Sequence, residues 1–357
     1  MNRKNIFATY YKNTTAALLG LLLILVSCHR EEIPTEDTSL KGNAPIEFSE
    51  MTGILETKAG GGENTSALPD NFTNFMVWAQ NGTNYTVFDE GGTVVTKSGS
   101  EDDNTLAWTY SPVRYWQSGD YTFYAISPSS KGTGKLSGQG LEISFKNETN
   151  NIAGWDLSTD QTDLLATCQT VSGTDQQTNE DGPDKVELTF NHMLSKIKFS
   201  ARSTEGNDIE IKVTKVEIYG NSKIAEGLTG NTSSKPWEFA TDITTTKDKP
   251  YINKTYEESE YINLTNEHAG ILPELLVFPE TFDKTNVPTI AVTYTINGSE
   301  KTKSARIIHN EEDGTTWLPG KIYDYKLSIS ADKITFAEPT VTPWADGGSA
   351  DNDKIEF

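Results

Sequence analysis

Two cysteines and four histidines carry most of the reactive chemistry available to this 357-residue sequence. One of them, Cys28, ends a recognisable motif. Leu25-Val26-Ser27-Cys28 matches the bacterial lipobox, in which the cysteine thiol takes a diacylglyceryl thioether and becomes the new N-terminus. Ahead of it stand Arg3, Lys4 and Lys12 and an apolar run over residues 16–26. That run falls short of the roughly 20 apolar residues that span a bilayer. It has the order of a secretory signal: basic, then apolar, then small before the cut. Residues 1–27 are thus expected to be a lipoprotein signal peptide, with Cys28 as the lipidation site. Acylation would leave Cys168 as the single thiol and rule out an intramolecular disulfide. Cys168 follows Leu164 and Leu165 closely, and reads as core filler.

The other reactive side chains form no catalytic pattern. His29, His192, His268 and His309 are far apart, and none has a nearby Cys or second His, so no metal site is expected. His192 reads as a hydrogen-bonded residue at a strand end. No nucleophile elbow or phosphate-cradling glycine loop occurs. Glu101-Asp102-Asp103, Glu180-Asp181 with Asp184, and Asp351 with Asp353 lack the regular spacing of a calcium loop, and read as solvated charge. The tryptophans beside apparent strands, among them Trp78, Trp108, Trp116 and Trp317, are read as core packing before a sugar platform. Neither a cofactor nor enzymatic activity is expected.

Asp and Glu number 51 against 30 Lys and Arg, a formal charge of −21. Loss of residues 1–27 removes three bases and no acid, taking the charge to about −24. Such a chain repels phosphates, which excludes nucleic acid as a partner. A covalent lipid is compatible with this charge, because its affinity comes from buried methylenes.

Period-two alternation dominates the rest. Val186, Leu188 and Phe190 alternate with polar neighbours, as do Ile197 and Phe199. Ile290, Val292, Tyr294 and Ile296 form another set, and Tyr323, Tyr325, Leu327 and Ile329 a fourth. Each is a strand with one dry face. Between Ile209 and Ile218 the apolar phase slips from odd to even positions, which predicts a bulge or bend near Thr214-Lys215. Sustained helical periodicity is missing. The expectation is an all-β chain of two tandem β-sandwiches, residues 45–184 and 185–357, after an acidic flexible tether over residues 28–44. The long turn-like stretch at 171–184 marks the boundary.

Three stretches resemble the fimbrillin family, subunits of the type V pili of Bacteroides-type bacteria. The first is RYWQSGDYTFYAISP at 114–128, preceded by Leu106-Ala107-Trp108. The second is Asp163-Leu164-Leu165 followed by VELTFNHMLSKIKF at 186–199. The third joins Trp317-Leu318-Pro319-Gly320-Lys321, Tyr323-Asp324-Tyr325 and ITFAEPTVTPW at 334–344. The resemblance implies transthyretin-like, Greek-key sandwiches, export as a lipoprotein to the outer membrane, and assembly with other fimbrial subunits by strand donation. The Arg30-Glu31-Glu32 run resembles the acid-rich signals that place such lipoproteins on the outer surface.

One feature departs from the family pattern. Its stalk subunits are cut after an arginine, whereas no Arg occurs here between Glu31 and Val113. Lys41 and Lys58 are the candidate processing sites instead. Residues 334–357 form a candidate donor-strand tail: apolar pieces interrupted by Pro339 and Pro343, with Ile334, Phe336, Val341 and Trp344 as anchors, then a polar, acidic end. The leading expectation is a structural subunit, or a tip or anchor adhesin, of a type V pilus. The alternative is a surface lipoprotein that binds glycans on a host or bacterial surface through exposed aromatics.

Overall fold

Nearly every element of the computed structural model is a strand, as the alternation requires. It describes residues 44–344 apart from 50, 56–63, 67, 70–71, 83–84, 100–106, 138–139, 147–152, 180–181, 206–208, 222–223, 231–236, 242–249 and 310–313; residues 1–43 and 345–357 lie outside the described residues.

A nine-stranded sheet is built around Leu165–Ser172, Asp120–Ser127 and Asn74–Asn81, which pair antiparallel in that order. These central strands are apolar on both faces. Phe123 and Ala125 enter one hydrophobic cluster with Phe75, Val77 and Phe190, while Tyr124 and Ile126 enter another with Trp78 and Ala166. Burial on both sides accounts for the nearly unbroken apolar run Tyr121-Thr122-Phe123-Tyr124-Ala125-Ile126. A five-stranded sheet adds its apolar residues to the second cluster. In it Gly140–Ser144 pairs with Ile224–Gly230, joining segments from either side of residue 184.

Two further sheets pack around the C-terminal core. Ser195–Ser203 runs parallel to Lys321–Ile329 in one, and Ile211–Tyr219 pairs with Thr289–Ile296 in the other. Phe199, Tyr325, Leu327 and Ile329 from the first meet Val213, Val216, Ile290, Val292 and Tyr294 from the second. This is a β-sandwich core. The expected bulge is present: the register of Ile211–Tyr219 against Thr289–Ile296 shifts between Val213 and Lys215. The extra residue, Thr214, donates its hydroxyl to the Thr293 carbonyl at 3.2 Å. Without the shift, Val216 and Ile218 would face solvent. Asn297 and Gly298 both take positive φ between Thr289–Ile296 and Ser299–Arg306, the backbone a two-residue hairpin needs.

The 171–184 connection holds a short helix, Gly173–Thr178, whose N-cap Ser172 accepts from the Asp175 amide at 3.4 Å. The chain then rejoins the nine-stranded sheet as Thr189–His192.

Candidate functional site at the terminal strands

Residues 44–49 and 51–55 are clasped by chain from two distant places. The Ile46 amide donates to the Arg114 carbonyl at 2.8 Å, and the Trp116 amide to the Ala44 carbonyl at 2.9 Å. On the other edge the Val186 amide donates to the Glu47 carbonyl at 2.7 Å, and the Ser49 amide to the Val186 carbonyl at 3.0 Å. Thr52–Leu55 continues alongside Thr189–His192, parallel, with Thr52 opposite Thr189 and Gly53 opposite Phe190. Ile46 and Phe48 point inward and are buried, while Glu47 between them is exposed. Phe48 meets Phe75 edge-to-face at 5.4 Å and Phe123 at 6.2 Å, and the Tyr110 hydroxyl donates to the Ile46 carbonyl at 2.7 Å. Burial of those two side chains contributes about 1.5–3 kcal/mol each. Residues 44–49 are extended, with isolated bridges at Pro45 and Phe48, and lie in a groove of aromatics ahead of the strand Thr52–Leu55. Their alternation, Ile46-Glu47-Phe48, is the one local sign of this in the sequence.

At the other terminus, Ile334–Phe336 and Thr340–Pro343 both run antiparallel to Lys321–Ile329. Phe336 lies opposite Leu327 and Ile334 opposite Ile329, both packed against the core, and Val341 lies opposite Tyr323. Between the two pieces the Ala337 amide still donates to the Lys326 carbonyl at 3.0 Å. The pair is thus one edge strand, interrupted near Pro339 where a ladder donor is missing. Phe336 meets Tyr325 edge-to-face at 6.2 Å, whereas Val341 is 46% exposed.

Trp344 closes this strand. Its amide donates to the Gly320 carbonyl at 2.8 Å, and its indole stacks on the His192 imidazole with ring centres 3.9 Å apart and planes 8° from parallel. The Lys196 ammonium lies 4.1 Å from the same indole. Both partners are fixed from elsewhere: His192 Nδ1 is 2.7 Å from Asp163 Oδ2, and Lys196 Nζ is 3.3 Å from Glu274 Oε2. Burial penalises the charged Glu274 carboxylate, but Lys198 and Lys196 outweigh it and hold its pKa below the usual range. His192 indeed ends a strand and is hydrogen-bonded. The structure therefore brings Ile334, Phe336, Val341 and Trp344 onto one edge. Cys28, Lys41 and Lys58 lie outside the described residues.

Beneath that edge sits a polar knot. The Tyr325 hydroxyl accepts from Trp317 Nε1 at 2.7 Å and is bonded to His309 Nε2. Burial pushes the Tyr325 pKa up and drops that of His309 to about 4. Gly320, at positive φ, turns the chain from Trp317 into Lys321–Ile329. Cys168 is half-buried against the core, its pKa raised by burial although its contact with Tyr124 works the other way.

None of the seven tryptophans is exposed; Trp78, Trp116, Trp155, Trp317 and Trp344 are buried, and Trp108 and Trp237 are half-buried. Among the described residues, no group of three or more His, Cys, Asp or Glu side chains is placed to hold a metal ion.

The sequence matches the family model for fimbrillin-like proteins over residues 57–344. Among curated proteins none matches. Solved structures with a similar course include a fimbrial protein from Bacteroides vulgatus ATCC 8482 (19% identity, 85% of this chain and 100% of that one, TM-score 0.48). A fimbrial assembly protein from Parabacteroides distasonis ATCC 8503 is similar over 84% of this chain and 98% of its own (11% identity, TM-score 0.38). With the model spanning most of its length, including both the aromatic groove and the C-terminal edge, the chain belongs to the fimbrillin-like family.

Proposed function

We propose that the protein is a structural, non-enzymatic subunit, or a tip or anchor adhesin, of a type V pilus. On this reading it is exported as a lipoprotein on Cys28, reaches the outer membrane surface, and joins other fimbrial subunits by strand exchange. The observation that carries it is the clasped segment at residues 44–55. That segment lies wholly upstream of Lys58 and wholly downstream of Lys41. A cut after Lys58 would take it away, baring Phe75, Phe123 and Phe190 and two unpaired edges. A strand from a neighbour repairs such a groove. Repeating that head-to-tail contact without closure gives a filament. A cut after Lys41 would leave the groove filled.

The test is the N-terminus of protein recovered from the cell surface, with fatty-acid labelling of wild type and Cys28→Ala. A stalk subunit should begin at Ala59 and carry no lipid; a tip or anchor should begin at acylated Cys28 or after Lys41. Unchanged labelling of Cys28→Ala would sink the lipoprotein reading.

A further inference from the structure

The triplet that fills the aromatic groove occurs twice in the sequence. Ile355-Glu356-Phe357 repeats Ile46-Glu47-Phe48 residue for residue, and an asparagine stands three positions ahead of the isoleucine in both, Asn352 and Asn43. In the groove each residue of the first copy has a defined place. Ile46 and Phe48 are buried, and Phe48 is ringed by Phe75, Tyr110 and Phe123 at 5.4, 5.8 and 6.2 Å. Glu47 points outward, its carboxylate 3.7 Å from Lys185 Nζ on the adjoining segment. Any strand with the order isoleucine, acid, phenylalanine meets these demands: two apolar side chains on the buried face and one negative charge toward Lys185.

A near-copy, Ile334-Thr335-Phe336, is already engaged. Ile334 lies opposite Ile329 and Phe336 opposite Leu327 on the chain's own sheet, and threonine stands where the groove has Glu47. Trp344 closes that edge on His192. Ile355 stands eleven positions past Trp344, a reach of up to about 36–40 Å. Direction separates the chain's own groove from that of a second copy. His192 is at the C-terminal end of Thr189–His192, and the groove segment runs parallel to that stretch of chain, toward the same end. A tail entering its own groove from Trp344 would run against Ile46-Glu47-Phe48 unless it first passed the groove and doubled back. A tail arriving from a second copy needs no such turn.

We propose that, once the segment up to Lys58 has left, Ile355-Glu356-Phe357 of a second copy takes the place of Ile46-Glu47-Phe48. Ile355 and Phe357 fill the apolar seats and Glu356 faces Lys185. This rests on the strand-exchange reading and names the donated strand, while the edge at 334–344 stays on its own sheet.

Thiol cross-linking of the full chain on the cell surface tests it. In a Cys168→Ala background, Lys185→Cys and Glu356→Cys together put one thiol on the groove's rim and one on the incoming strand. Neighbouring strands lie about 4.8 Å apart, within disulfide reach. Mild oxidation of filament-bearing cells should give a ladder of covalent multimers, and either substitution alone at most dimers. Ile355→Asp or Phe357→Asp, added to the pair, should cut the multimers at least about tenfold, because each removes an apolar side chain from a buried seat. Filaments that form without the ladder, or a ladder that survives Phe357→Asp, would show that another strand is donated and overturn the proposal while strand exchange stands. A cross-link confined to single chains would put the tail in its own groove and overturn it equally. If wild type forms neither filaments nor multimers, the strand-exchange reading falls and the proposal falls with it.

Discussion

Gln161 and Leu276 pair across the chain as two strand residues would, although one partner is a side chain. The Gln161 carbonyl oxygen accepts from the Leu276 amide at 2.6 Å, and its Nε2 donates to the Leu276 carbonyl at 3.1 Å. The same Nε2 lies 2.9 Å from the Tyr251 hydroxyl, which itself donates to the Leu276 carbonyl. Gln161 thus ties the connection after Trp155–Asp156 to the core around Leu275–Val277. Gln161→Leu keeps the volume but strands the Leu276 amide. It should cost about 1–3 kcal/mol, read as a lower denaturant midpoint with unchanged slope. A midpoint equal to wild type would show that the amide pairing contributes nothing.

Leu327 is buried in the C-terminal sandwich, and Tyr325 beside it accepts from Trp317. Leu327→Asp puts a charge where nothing can solvate it, and Tyr325→Ala leaves a cavity and an unpaired indole N–H. Each should destabilise by several kcal/mol, on the order of 3–5 for the tyrosine. An unaltered melting temperature for Leu327→Asp would mean its side chain faces water.

Trp344 is 5% exposed, and its indole is held between protein groups rather than water. Trp344→Ala should lower stability by roughly 2–4 kcal/mol and speed hydrogen exchange in Thr340–Pro343. Lys196→Met, which keeps the aliphatic stem, should cost less than about 1.5 kcal/mol. Equal losses for the two variants would show that the ring contributes only through its charge contact.

His309 sets an acid limit on stability. Burial lowers its pKa from 6.5 to about 4 in the folded chain. Between those values the unfolded chain binds the extra proton, so acid favours unfolding. The contribution is whole above about pH 6.5 and drains away as pH falls toward 4. Partial exposure of the ring limits the loss to about 1–2 kcal/mol. Denaturant melts at pH 7 and pH 4.5 should show a drop that shrinks in His309→Gln; an identical drop in the variant would place the acid sensitivity elsewhere.

Much of the secondary structure was legible from side-chain order alone. Val186, Leu188 and Phe190, or Tyr323, Tyr325, Leu327 and Ile329, alternate because a half-buried strand shows its faces in turn. The slip at Thr214 was legible for the same reason: a phase change in a period-two pattern has to be absorbed by an extra residue. The family resemblance likewise rested on stretches that can be read one residue after another. What pairs with what needed the tertiary structure. That Thr52 lies parallel to Thr189, that Lys196 lies parallel to Ile322, and that Gly227 meets Ser144 depend on which distant edge leaves the fewest unpaired groups. No local pattern encodes that choice. The polar contacts were hidden more deeply still. Gln161 bonds backbone at Leu276, Trp344 lies on His192, and Lys131 reaches Asp160 across a cleft. Backbone groups are common to all residues, and stacking or ion pairing needs a meeting that only the closed sheets bring about.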